Sequence, residues 1–299
     1  MDIDKILQKE KSLSSIIWIW KADFYELLPV FTQCLDEYYA NLNKNRKRKQ
    51  WGWRKWILKT PKDKLFYILF YMKVYPTFEV AASIFGTVKS KTYEWTVRFL
   101  PLLEKALGRK AVLPTKKADD LEKLVEENPN LGGLFIDWTE RPINRPKKDK
   151  QQRRNYSWKK KQHTIKNTVV STKDKEVIFV WDTQEWKIHD KKLAEKDGLD
   201  NLEAEKYWDS GYAWLNGTII PKKKTKNKPL TEDEKLDNRA LNSIRAIVEN
   251  AIAGIKRLWI VSQKYRNRIY WNFLTVRQNF KDKVIRISAW LHNLMLKRI

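Results

Sequence analysis

The spacing of apolar positions changes character twice along the chain. Over residues 17–40, Phe24, Leu27, Leu28, Phe31, Leu35 and Tyr38 recur at helical intervals and predict a helix. Thr60-Pro61-Lys62-Asp63 opens a second helical pattern through Leu65, Ile68, Leu69 and Met72, which closes at Tyr75-Pro76. Thr77 is placed to cap a third helix with the apolar face Phe78, Ala81, Ile84 and Phe85; Gly86 breaks it, and a fourth runs from about Lys89 to Leu100. Two short helices about a glycine-containing turn have the shape of a helix-turn-helix, whose second helix enters the major groove. An ordinary helical hairpin has the same spacing. In the first reading Lys89, Lys91, Thr92 and Arg98 are the groove-facing candidates.

Residues 109–132 break the pattern with charges, Pro114, Pro129 and Gly132, and read as a connector with a short helix over Asp119–Glu126. The texture then turns to β-branched and aromatic runs: Leu134–Ile136, His163–Ser171 and Glu176–Val180 predict strands. A helix is expected over about Ile188–Glu195, a short segment at Lys206–Trp208, and a long last helix from about Thr231 to Lys256. Strands followed by strand–helix alternation predict an α/β domain with a mixed sheet. The division is a helical domain over 1–108, a connector over 109–132 and an α/β domain over 133–299.

Charge sharpens this picture. The 299 residues carry 61 Lys+Arg against 36 Asp+Glu, a net +25, which favours a polyanionic partner through counterion release. No apolar run approaches the roughly 20 residues a spanning helix needs, and the first residues lack a signal-peptide pattern. Nucleic acid in a reducing, cytoplasmic, nucleoid-associated setting is therefore expected rather than a membrane. The single cysteine, Cys34, excludes an internal disulfide and a Cys-rich zinc site.

Three acids stand in informative places. In Gly133-Leu-Phe-Ile-Asp-Trp-Thr-Glu-Arg-Pro142, Asp137 is read at the end of a buried strand; Asp209 follows another strand before a Ser-Gly turn; Glu249 lies in the long helix. Ligands commonly bind outside the carboxyl ends of strands in open α/β sheets. Arg245 and Lys256 lie four residues before and seven after Glu249, on the same helix face. Alone, that face also reads as an exposed salt-bridged stripe. Asp190 is a further acid, ranked below Asp209 because it opens a helix. Lys159, Lys160 and Lys161 on a turn, and Lys222, Lys223 and Lys224 in a basic loop, are candidates for DNA phosphate or simply solvated charges.

In order, these segments resemble the DDE transposases of bacterial insertion sequences and the related DDE superfamily endonucleases, over nearly the whole chain. Ile136-Asp-Trp-Thr-Glu-Arg-Pro142 resembles the family's Asp-Gly-Thr-Glu motif. Tyr156-Ser-Trp-Lys-Lys-Lys-Gln-His-Thr164 resembles its Tyr-Ser-Gly-Lys-Lys-Lys-x-His-Thr segment. Ile188-His-Asp-Lys191 and Asp209-Ser-Gly-Tyr212 follow in family order. The run Arg245 to Lys256 resembles its Arg-x3-Glu-x6-Lys helix, although the family's frequent tyrosine is Asn242 here. Leu58 to Leu107 is similar to the helix-turn-helix before its catalytic domain. The resemblance implies an RNase H-like fold in which Asp137, Asp209 and Glu249 hold two divalent ions, Mg²⁺ or Mn²⁺. It assigns Arg245 and Lys256 to DNA phosphate near those ions or to orienting Glu249. It further implies double-stranded DNA as partner, both terminal repeats and target, and a homodimer in the synaptic complex. A metal-dependent endonuclease without strand transfer and a non-catalytic DNA-binding regulator are the alternatives.

Composition adds one complication. Gly is 9 and Trp is 15 of 299 residues, whereas glycine is ordinarily about 7%. Trp138, Trp158 and Trp214 stand where the resembled family has glycine; Trp51, Trp53, Trp56, Trp186 and Trp290 extend the series, while Trp95 fits a helix core. This is the pattern of a gene in which UGA means glycine, translated with UGA as tryptophan. The rival reading keeps real tryptophans that stack on bases. As written, an indole at Trp138 is expected to crowd the metal site and one at Trp158 a turn, leaving the chain inactive.

Overall fold

The computed structural model describes residues 1–43, 57–109, 133–188, 230–266 and 274–296, with positions 114, 121, 123, 126, 206–207, 218–219 and 222 between them. They fall into two compact units: Met1–Leu113 with Arg257–Val261 and Arg268–Ile299, and Pro114–Lys256 with Ser262–Asn267.

The first unit is helical. It begins with α1 (Ile3–Gln8), α2 (Glu10–Ile17) and α3 (Lys21–Asn43), followed by α4 (Pro61–Val74), α5 (Phe78–Phe85) and α6 (Lys89–Arg109). The α4 start is a capping box: the Asp63 N–H donates to Thr60 Oγ1 (3.2 Å), and the Thr60 N–H to Asp63 Oδ2 (2.9 Å). Residues Lys64 to Met72 of α4 are all buried, so this helix is the centre of the unit, as an all-round apolar helix must be. Thr77 caps α5 as predicted, and Gly86 ends it at φ +63°, a left-handed position that suits glycine. The turn Gly86–Val88 leads into α6, giving helix-turn-helix connectivity. Trp95 is buried against Tyr67, with ring centroids 5.3 Å apart.

Helix α2 ends less comfortably. Trp18 adopts φ +62°, ψ +26°, a left-handed cap, with Lys73 and Arg257 over its ring at 4.5 and 5.3 Å. Its indole N–H is buried and meets no acceptor among the described residues.

The second unit holds a mixed sheet: β1 (Leu134–Pro142), α7 (Asp149–Asn155), β2 (Tyr156–Ser157), β3 (Gln162–Ser171), β4 (Val177–Val180), β5 (Gln184–Glu185), β6 (Lys206–Tyr207), β7 (Thr218–Ile219) and α8 (Glu232–Lys256). Strand β3 lies antiparallel between β1 and the pieces β2, β4 and β5; β6 adds parallel to β1, and β7 parallel to β6. This order and these directions are those of an RNase H-like sheet. Helix α8 lays Val248, Ala251, Ile252 and Ile255 onto it and packs against β1, β3 and β6.

Beyond α8 come α9 (Trp259–Ser262) and a further long helix, α10 (Leu274–Leu296), so the helix over 231–256 is not the last. α10 packs on α6 in the helical unit, where Glu104 binds both Lys283 (2.8 Å) and Arg286. The division read from sequence keeps 133–299 together, whereas the burial of Val284, Ile285, Ile287 and Leu291 ties α10 to the N-terminal helices. The helix expected over Ile188–Glu195 and most of the connector lie outside the described residues. Among the described residues no helix is long and apolar enough to cross a membrane.

Candidate active site

Asp137 lies within β1, not at its end. The apolar run stops at Ile136, but pairing with β3 continues from Phe135↔Ser171 to Pro142↔Thr164. The polar half of the strand is retained because Glu140 and Arg141 find buried partners. The Thr164 hydroxyl donates to Glu140 Oε2 (2.8 Å); Arg141, 1% exposed, donates to Asn167 Oδ1 (3.0 Å) and Thr183 Oγ1 (2.7 Å). Asn167 in turn donates to the Trp181 carbonyl (2.8 Å).

Strand alternation sorts these residues onto two faces. Asp137, Thr139 and Arg141 share one with Val169 and Asn167; Trp138 and Glu140 share the other with Lys166 and Thr164. Lys166 Nζ sits 5.4 Å from the Trp138 ring centroid. The Trp138 indole therefore projects to the face opposite the Asp137 carboxylate and does not crowd it, contrary to expectation. The Trp138 backbone does meet Asp137, its N–H donating to Oδ1 at 2.7 Å.

The carboxyl end of α8 reaches this strand. Lys256 is half-buried, and burial pushes its ammonium below the usual lysine range; Lys160 acts in the same direction, while Asp137 and Glu140 oppose it. Lys256, Lys160, Asp137 and Glu140 are thus electrostatic neighbours. Glu249 lies two turns back on α8 and is exposed. The backbone of Arg245 belongs to α8, but its side chain lies outside the described residues, as do Asp209, Asp190, Lys223 and Lys224. Among the described residues no three His, Cys, Asp or Glu side chains group as metal ligands.

The DNA candidates divide sharply. Lys89 is exposed and makes no ion pair among the described residues, whereas Lys91, also exposed, bridges Glu94 at 2.9 Å. Thr92 is fully buried, its hydroxyl 2.9 Å from the Phe78 carbonyl and 2.8 Å from that of Lys89, so it is a packing residue and not a groove-facing one. Arg98 is partly buried, paired with Glu94 and set against the Tyr38 ring. Lys159, Lys160 and Lys161 are exposed on the β2–β3 turn beside Trp158, which is 74% exposed. Lys222 pairs with Glu234 at 3.4 Å. His163 packs against the Tyr156 ring, and burial followed by Arg145 and Lys264 pushes its imidazole below the usual histidine range.

Sequence alone assigns no role to Glu140, Arg141, Lys166 or Asn167. Their signal is the alternation shared by Thr139-Glu-Arg141 and Thr164-Ile-Lys-Asn167, two polar stretches that pair across one ladder.

Residues 136–293 match the family described as DDE superfamily endonuclease. Over 211 residues, 69% of this chain and 73% of the relative, the sequence is 31% identical to a probable transposase for insertion sequence element IS702 from Microchaete diplosiphon. No solved structure matches significantly. The chain belongs to the DDE superfamily endonucleases, among the transposase-like members.

Proposed function

We propose that the chain is a DNA transposase that binds the ends of its element, hydrolyses a phosphodiester there and transfers the strand to target DNA. The observation that supports this most is the packing of α8 on β1, because it lays the helix bearing Glu249 across the strand bearing Asp137. A count supports the third acid: Phe135 pairs with Tyr207, and Asp137 and Asp209 each follow by two residues.

Endonucleases of this superfamily generally use divalent metal ions. The donor set fits them, since Asp137, Asp209 and Glu249 offer hard carboxylate oxygens and no thiolate competes. Those three would hold two Mg²⁺ or Mn²⁺ ions, which supply a more acidic nucleophile and charge neutralisation at the reacting phosphate. The remaining work falls to the chain. The Trp138 N–H fixes the Asp137 carboxylate, and Lys256, desolvated at the end of α8, holds a phosphate oxygen beside it. Arg245 acts on the same phosphate or orients Glu249. Lys89 at the start of α6 and the Lys159–Lys161 turn contact the DNA backbone. Two ends are held together for transfer, so the acting species is a homodimer.

The test uses the full chain with Mg²⁺ and its own terminal repeats. Asp137→Asn and Glu249→Gln each abolish nicking and joining while end binding persists; full activity in either variant rejects the assignment. Nicking without joining would favour a plain endonuclease, and binding without nicking a regulator.

A further inference from the structure

The connection from β1 to β3 is more than a turn. From Arg145 to Lys161 it carries nine cations and one acid, Asp149. Lys147, Lys148, Lys150, Arg153, Lys159, Lys160 and Lys161 are exposed, and none forms an ion pair among the described residues. The backbone beneath them is nonetheless fixed. The Ile143 N–H donates to the His163 carbonyl (2.9 Å), and that of Tyr265 to the Pro142 carbonyl (2.8 Å). Arg145 donates to Gln152 on α7 (2.9 Å), Arg154 leans on Glu185 (3.4 Å), and its carbonyl accepts from the Lys187 N–H (2.9 Å). The bridge between Ile143 and Tyr265 brings the exposed Lys264 to the same end of the sheet.

A dense array of like charges repels itself, and Asp149 with Glu185 offsets only part of that cost. A polyanion of regular spacing offsets the rest. Pro142 lies five residues beyond Asp137 on one strand, about 17 Å at roughly 3.3–3.4 Å per residue. Along duplex DNA, at about 3.4 Å per base pair, the same span is about five base pairs.

We propose that this connection is a sequence-independent clamp on duplex DNA, gripping the phosphate backbone five or more base pairs from the phosphate that reacts at Asp137. The distance rests on the reading of Asp137 as catalytic; the grip itself does not.

The full chain is titrated with an unrelated duplex at several salt concentrations, and so is a variant carrying Lys147→Gln, Lys148→Gln, Lys150→Gln and Arg153→Gln. The slope of log affinity against log salt should shrink by about 0.9 for each phosphate no longer neutralised, hence by roughly 2 to 4. A charge-preserving variant, with Lys and Arg exchanged at the four sites, should keep the slope. Lys105→Gln, at a cation already held by Glu37, should change it by less than about 0.9, the value of a single phosphate. An unchanged slope in the fourfold variant, or an equal fall for Lys105→Gln, overturns the clamp. On a terminal-repeat duplex, phosphates about five base pairs or more from the cut should be protected in the parent and exposed in the variant; a change in protection elsewhere instead overturns the placement. Failure of the parent to bind any duplex overturns this proposal together with the DNA-transposase reading. Tighter binding to duplex RNA than to duplex DNA overturns the clamp alone.

Discussion

The helical unit and the sheet unit use positive charge in opposite ways. In the helical unit three carboxylates each take two cations: Glu37 holds Lys105 and Arg109, Glu94 holds Lys91 and Arg98, and Glu104 holds Lys283 and Arg286. In the sheet unit Arg141 and Lys166 are buried, with Arg141 donating to Asn167 and Thr183, while the connection after β1 leaves a row of exposed lysines, with Arg153, without carboxylate partners among the described residues. Charges neutralised within the fold hold it together; charges left unneutralised point to what the fold is meant to meet. Net charge alone locates neither.

The comparison breaks most readily at Arg141. Arg141→Met removes a buried donor and leaves Asn167 and Thr183 to face apolar atoms. A stability loss of about 3 kcal/mol is expected in denaturant titration. A loss near zero would mean that the buried guanidinium is not structural. Next comes Glu104→Gln. Glu104, Lys283 and Arg286 are largely shielded, so the loss should be about 1–2 kcal/mol, and thermal unfolding should show it.

The smallest effect sharpens the contrast through pH. Hydrogen bonds from Arg109, and then from Lys105, hold the Glu37 carboxyl down at about 2, against about 4.3 unfolded. The folded value is the lower one, so the contribution is complete above about pH 4.3 and is lost as pH falls through about 2. Glu37→Gln should therefore lower the melting midpoint slightly at pH 7 and leave it unchanged near pH 2. A shift of equal size at both would place its origin elsewhere.

Elements bounded by local chemistry are legible in the sequence. Thr60 and Thr77 cap the helices that their spacing predicts, Gly86 ends α5, and β3 and α8 fall within a residue of their predicted spans. Elements whose polar residues are satisfied by distant partners escape such reading. Glu140 and Arg141 look like a strand surfacing until β3 supplies Thr164 and Asn167. Helix α10 buries Asp282, Ser288, His292 and Asn293 among its apolar residues, which blurs its period. At the site, motif spacing marks Asp137 and Lys256 as candidates, whereas the nearness of Lys160 and Glu140 to Lys256 depends on the fold. Thr92 misleads because a hydroxyl near a helix start looks like a DNA contact, whereas this one turns back on its own helix.

Trp18 carries a consequence of another kind. Left-handed backbone costs a residue with a side chain about 1–2 kcal/mol and glycine almost nothing, and here the cost falls on an indole whose N–H is buried without an acceptor among the described residues. It extends the series of tryptophans in places suited to glycine, on backbone grounds independent of family motifs. If these positions are UGA codons read as glycine in the source, the choice of expression host becomes a chemical variable, because a cell that decodes UGA as tryptophan would build a different polymer.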